Sequence, residues 1–387
     1  MSRYLLYLFL PWLVFFAVMV PLWIKRQRFG WQIPTYVGIT LGLAALGFSV
    51  MAFSSQYADM LSVGGIYILG LAGIGLFLGF VEFAILPVIG QFRLGAISRV
   101  TYYEALLQPF TMLVILVGIT AITIMARISF FTYNEDFKMY RDVASSFVFL
   151  FSLPVMIFAS TKVVDEEIEN RTMLTLMSKP VSRWQVILGK YLGVLILILV
   201  CVVTLGVMAA ICSYMRYYDD MALDFRVAQS QEEWNSLHFA NFKHLMALLP
   251  GLVLAFLQVA TLAAISVAVS TRYGLAVNVT VVVLIYIAAS MTQFIQSTRD
   301  LPAIVAGVTN VVSYLLPSLG LLDINQRLVF GNYVYGSNDP TLGGVTAGLP
   351  TYQDIWNYVG VSSLYALFYI GAALALGMAL FRSRELT

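Results

Sequence analysis

Charge is what this chain has least of. Asp, Glu, Lys and Arg make up 11% of its 387 residues, against 60% hydrophobic ones. A soluble domain carries about a quarter charged residues, so a water-soluble fold is excluded. The mean hydropathy of +0.86 points the same way. Cysteine is nearly absent: Cys201 and Cys212 lie in one apolar run, eleven positions apart. That is too far along a helix axis for the two to pair. No disulfide framework and no metal-ligand spacing follows, and both are expected as small buried hydrophobes. Histidine is as rare. His238 and His244 share a segment with several acids but lack a third defined ligand, so they are expected as solvated loop residues rather than a metal site. Long polar stretches are missing too. The longest, 214–245 and 323–355, are too short for a sizeable core. A phosphate-binding loop is also absent. The one Gly-Lys pair, Gly189-Lys190, is followed by Tyr191, and Trp184 stands where the motif needs glycine.

What is present is a set of apolar tracts about 20 residues long, the length of spanning helices. In lipid the backbone must satisfy itself, which favours helices over open sheet. The tracts do not alternate as porin-type strands do. The fold class expected is an all-α polytopic membrane protein. It has about nine transmembrane helices, near 4–24, 34–54, 62–90, 108–127, 144–163, 186–213, 246–270, 275–295 and 356–381. The first run follows a single arginine and shows no small-residue cleavage site, so it reads as a retained helix.

Lysine and arginine set the orientation. With the N-terminus outside and the C-terminus cytoplasmic, thirteen of the 22 basic residues fall in short inside loops beside six acids. Outside lie nine basic residues and thirteen acids. The inverse topology would expose the basic loops to the outside. The same rule decides a tenth apolar run, 301–322, which Pro302, Gly307, Pro317 and Gly320 interrupt. If it spanned, the basic C-terminal tail would be outside, so an outer re-entrant hairpin is expected. Segment 91–107 differs again. Leu94, Ile97, Val100, Tyr103 or Glu104 and Leu107 recur at helical spacing, with Arg93 and Arg99 elsewhere. That is the pattern of an amphipathic helix lying in the interface plane.

One compact segment breaks the avoidance of charge, between spans five and six. Asp165, Glu166, Glu167 and Glu169 are expected at the start of a helix, where the positive dipole end favours them. Met173, Leu174, Leu176 and Met177 supply an apolar ridge. Lys179-Pro180 ends the helix, and Ser182 can cap the next, with Arg183 exposed and Trp184 at interfacial depth.

This segment resembles the intracellular coupling segment of ABC-2 type transporter permeases. The family pattern, roughly E-x-E-x-x-T-x-x-x-L-x-x-x-P-V-x-R and then G-K, is met by Glu167, Glu169, Thr172, Leu176, Pro180, Val181, Arg183, Gly189 and Lys190. Many members carry glycine before the threonine; here Arg171 stands there, beside Glu166 in the same acidic and basic run. Segment 91–107 is similar to the family's elbow helix. The resemblance covers about 91–387: elbow helix 91–107, coupling loop 164–185 and outer hairpin 301–322 within a six-helix permease domain. Residues 1–90 form a three-helix membrane extension outside it. The resemblance implies a transport subunit in the cell (inner or plasma) membrane, most often an exporter. It also implies a separate cytoplasmic ATP-binding subunit that holds ATP and magnesium, and a second permease copy or paralogue. No cofactor is expected in this chain, and its surroundings are membrane lipid rather than nucleic acid.

Other residues carry open alternatives. Glu82 lies in an apolar run, where an acid is either functional or locally paired. Gly73, Gly75 and Gly79 superficially match a nucleotide fingerprint, but close helix packing through Gly75 and Gly79 is expected instead. Gln258 and Asn278 either bond between helices or line a substrate path. Two rival functions remain, an ion-coupled secondary transporter and a membrane-embedded lipid-modifying enzyme. The first needs several buried ionisable groups near midplane; the second needs an acid and histidine constellation at one interface.

Overall fold

The computed structural model describes residues 42, 59–130, 135–169, 182–228, 230–296, 316–324, 333 and 349–382. The expected spans 4–24 and 34–54 and most of the 301–322 hairpin lie outside them. Among the described residues the elements are helical. They are α1 (Asp59–Phe80), a π-helical turn (Val81–Ile85), α2 (Leu86–Ile89), α3 (Arg93–Leu106), α4 (Pro109–Met125), α5 (Asp136–Glu169), α6 (Arg183–Asp220), α7 (Ala222–Val227), α8 (Gln231–Met246), α9 (Leu248–Ser270), α10 (Leu275–Gln296) and α11 (Tyr352–Arg382). Among the described residues, five helical stretches are long and apolar enough to cross a membrane, and α3 with α4 makes a sixth candidate bent by 66°.

Local chemistry explains most of the boundaries. Pro109 takes the first position of α4 after an extended Gln108, where its missing N–H is harmless. A capping box opens α8: the Glu233 N–H donates to Ser230 Oγ at 3.2 Å, and the Ser230 N–H donates to Glu233 Oε2 at 3.5 Å. A comparable exchange between Thr351 and Asp354 opens α11.

The axis of the bundle is α6, which touches α1, α3, α4, α5, α9 and α11. Its 38 residues span about 57 Å at 1.5 Å per residue, well beyond a hydrocarbon core of about 30 Å. Leu197, Ile198, Cys201, Leu205 and Ala209 are fully buried along it, and Cys212 nearly so. Both cysteines are free thiols, and Ser152 Oγ lies 3.6 Å from Cys201 Sγ. A second, smaller apolar cluster gathers Leu254, Leu322, Tyr333, Ile355, Val359 and Ala366. There the 3-10 turn Leu319–Leu322 is fixed to α11, with Tyr358 Oη donating to the Leu321 carbonyl at 2.8 Å.

Two expectations need correction. The acids Asp165, Glu166, Glu167 and Glu169 do not begin a helix; they occupy the last turns of α5. No glycine or proline separates Thr161 from Glu169, so the spanning helix simply continues. Next, 214–245 is not a solvated loop. It continues α6 to Asp220 and then forms α7 and α8. α3 turns its small-residue face to the bundle, with Ile97 and Tyr103 partly buried beside it. Gly95, Ser98, Thr101, Tyr102 and Ala105 are buried, while Val100 and Leu107 are 55% and 70% exposed.

Candidate functional site

The charged segment is rooted in two helices. α5 reaches Glu169 without a break, so Glu166, Glu167 and Glu169 ride on a continuous extension of the span. On the other side Arg183 is the first residue of α6. Its entry is set by Ser182, whose backbone N–H donates to Gln185 Oε1 at 3.1 Å. Trp184 is half exposed beside it. Arg171, Thr172, Leu176, Pro180 and Val181 lie outside the described residues.

Behind this root, α6 meets α3 through glycine. A Cβ on Gly193 would lie 2.6 Å from the Ser98 carbonyl oxygen and from Thr101, and one on Gly189 would lie 2.9 Å from Ile97. The spacing of four puts both glycines on one face, the small-residue device that lets helices approach closely in lipid. α3 is also held close to the turn that precedes it, since a Cβ on Gly95 would meet the Ile89 carbonyl oxygen at 1.9 Å. Arg93 and Arg99 are exposed on α3. The Arg99 guanidinium lies 5.7 Å from the Tyr103 ring centroid. Tyr103 Oη in turn donates to Glu82 Oε1. Glu82 is therefore a locally paired acid, and it links the π-helical turn after α1 to α3. Gly70 of α1 approaches Ile211 of α6 closely, whereas Gly73 faces open space. Lys190 is buried in α6 beside these contacts.

At the same end of the bundle lies a buried polar node. Asn278 of α10 is fully buried. Its Nδ2 donates to Thr161 Oγ1 of α5 at 2.6 Å and to Ser266 Oγ of α9 at 2.8 Å. Ser160 Oγ is hydrogen-bonded to Ser266 Oγ. Gln258 is also buried on α9. It lies eight residues from Ser266, about 12 Å along the axis, and is not part of the node.

The opposite end holds charges that sequence reasoning missed as a group. Arg216 Nη2 lies 2.7 Å from Asp136 Oδ2, and its Nε lies 3.2 Å from Asp220 Oδ1. Asp136 also accepts from Ser129 Oγ at 3.0 Å, and Arg216 Nη1 donates to the Ala126 carbonyl at 3.2 Å. This cluster joins the ends of α4 and α6 to the start of α5. The i, i+4 spacing of Arg216 and Asp220 was the one visible signal. Arg141, 1% exposed, donates to the His244 carbonyl at 2.9 Å, and its Nη1 is 3.2 Å from His244 Nδ1. His238 instead pairs with Tyr218 Oη at 2.8 Å. The two histidines face different partners.

The arrangement is a helical bundle around one axial helix, with a charged segment carried at one end on two continuous helices. A family model described as ABC-2 family transporter protein matches residues 94–375. The chain belongs to the ABC-2 transporter family. No curated protein gives a significant match to it. The match starts inside α3 and ends inside α11, so α1 and α2 precede it. As an ABC-2 permease the chain is an integral, multi-pass membrane component of an ABC transporter. The family's members have no ATPase domain of their own.

Proposed function

We propose that this chain is the transmembrane subunit of an ATP-driven exporter, and that the 164–185 segment is the surface on which a separate ATP-binding subunit acts. The observation that carries this reading is the continuity of α5 through Glu169, opposite an α6 that starts at Arg183. Carboxylates at the C-terminal end of a helix are disfavoured by its dipole, by about 0.3–1 kcal/mol each when exposed. A cationic partner surface against Glu166, Glu167 and Glu169 would relieve that cost. ATP and magnesium belong to the partner. Clamping of two ATPase subunits would displace the segment and rock α5 and α6 in a pair of permeases, formed by two copies or by a copy and a paralogue.

In this reading the segment faces the cytoplasm and the Asp136–Arg216–Asp220 cluster faces outside. α3, with Arg93 and Arg99 exposed, serves as the interfacial elbow helix. The complete topology has nine spans, with 301–322 as an outer hairpin. Residues 1–90 are an extension docked on the core through α1, as the Gly70–Ile211 approach and the Glu82–Tyr103 bond support. The test is charge reversal. Glu167→Lys and Arg183→Glu should each abolish ATP-dependent transport while the protein still inserts and accumulates in the membrane. Transport unchanged in both variants would refute the coupling role.

A further inference from the structure

The charged segment has two roots, and they are anchored by different chemistry. The α6 root is held by close glycine contacts to α3. The α5 root is held by hydrogen bonds to α9 and α10, and Asn278 is at their centre. We propose that Asn278 is a positioning residue that makes α10 follow α5 and α9 when the segment is displaced. This rests on the permease reading above and names the route by which the stroke reaches the rest of the bundle.

The proton inventory fixes how the node works. Thr161 Oγ1 donates to the Ile157 carbonyl at 2.7 Å, and Ser160 Oγ donates to the same carbonyl at 3.0 Å. The Ser266 hydroxyl then has Ser160 Oγ as its acceptor. With every hydroxyl proton committed, Thr161 and Ser266 can only accept from a third group. The Asn278 amide supplies both N–H groups, at 2.6 and 2.8 Å. One side chain thus bridges three helices, and its position is specified from both sides. Its Oδ1 is buried without a partner, so the contact holds through the N–H groups alone.

Placement gives the node its mechanical role. Glu167 lies six residues beyond Thr161 on the same unbroken helix, about 9 Å away. Asn278 is in the first turn of α10, and its backbone N–H donates to the Gly274 carbonyl at 3.1 Å. Ser266 is in the last two turns of α9. The node therefore clamps both sides of the short α9–α10 turn to the base of the lever. Within the bundle, buried polar groups have no water to exchange with, so separating α5 from α9 and α10 would leave several of them unpaired at once. A displaced α5 draws its neighbours along. α9 keeps its Ser160–Ser266 bond to α5 and its Tyr191–Ala260 bond to α6 without Asn278, so loss of Asn278 should uncouple the α10 side of the turn and leave the segment itself responsive.

Thiol labelling of the full complex tests this without knowledge of the substrate. In a Cys201→Ala/Cys212→Ala background, Tyr273→Cys reports on the exposed α9–α10 turn and Ser182→Cys reports on the segment. The chain is co-purified with its ATPase, and maleimide labelling rates are compared with and without ATP–vanadate trapping. With Asn278 present, trapping should change the rate at both sites. With Asn278→Leu, Ser182→Cys should still respond and Tyr273→Cys should lose its response. A retained response at Tyr273→Cys overturns the proposal, as does a turn that never responds with Asn278 in place. If Asn278→Leu fails to accumulate, Thr161→Val removes one of the two amide bonds and is expected to blunt the same response. Failure of any ATPase to co-purify is a separate result, which overturns the permease reading and this inference with it.

Discussion

Substituting alanine for Gly193 adds one methyl group where α6 meets α3. Its Cβ would lie 2.6 Å from the Ser98 carbonyl oxygen and from Thr101. Ordinary contact begins near 3.4 Å, so α3 would have to retreat by roughly 1 Å. Such a shift would also disturb the close contact of Gly95 with the Ile89 backbone. Overpacking of this kind costs about 1–3 kcal/mol. The offsetting gain in helix propensity from glycine to alanine is about 1 kcal/mol at most. With the full offset the variant should therefore be destabilised by up to about 2 kcal/mol. The control is Gly371→Ala on α11, where a new Cβ meets nothing within 4 Å. Only the propensity gain applies there, and stability should hold or rise slightly. Reactivity of the buried Cys201 and Cys212 thiols with a fluorogenic maleimide, followed on heating in detergent, reads both variants. Equal midpoints for Gly193→Ala and Gly371→Ala would refute the close docking of α3 on α6.

The charged cluster at the opposite end gives a second contrast. Arg216→Ala leaves Asp136 and Asp220 facing each other with side chains only about a tenth exposed, and the loss should be about 3–5 kcal/mol. Arg127→Ala removes a pair whose side chains are 57% and 59% exposed, and the loss should be within about 1 kcal/mol. Denaturation in mixed micelles checks both, and a silent Arg216→Ala would refute the cluster's role. Topology is checked in sealed, right-side-out vesicles with the native cysteines replaced. Leu223→Cys, at an exposed position, should react with an impermeant maleimide, and Ser182→Cys should react only after permeabilisation. The reverse pattern would invert the proposed orientation.

Hydropathy alone marked the positions of α4, α6, α9, α10 and α11, because long apolar tracts have few other uses. What it hid depends on contacts between distant residues. The extent of α5 was misread because an acidic run suggests a helix start, whereas the absence of any breaker after Thr161 lets the span continue. Segment 214–245 looked like loop because its polar residues are spread along it. They become structural only when Arg216 meets Asp136, 80 residues away. The docking face of α3 was not legible, because apolar spacing marks a side that lipid can solvate, as at Val100 and Leu107. The small residues face the protein instead. Asn278 was marked as polar within a span, but its two acceptors, Thr161 and Ser266, sit on other helices. Glu82 was legible as an anomaly, and its partner Tyr103 was not.

The coupling claim is tested most directly by recovering the partner. The tagged chain is purified from native membranes in mild detergent, in parallel with Glu167→Lys. The account predicts that an ATP-binding subunit accompanies the parent chain and is lost from the variant, with the permease itself present in equal amount. An ATPase retained by Glu167→Lys would contradict the assignment of the 164–185 segment, and no ATPase with the parent in several detergents would contradict the account as a whole.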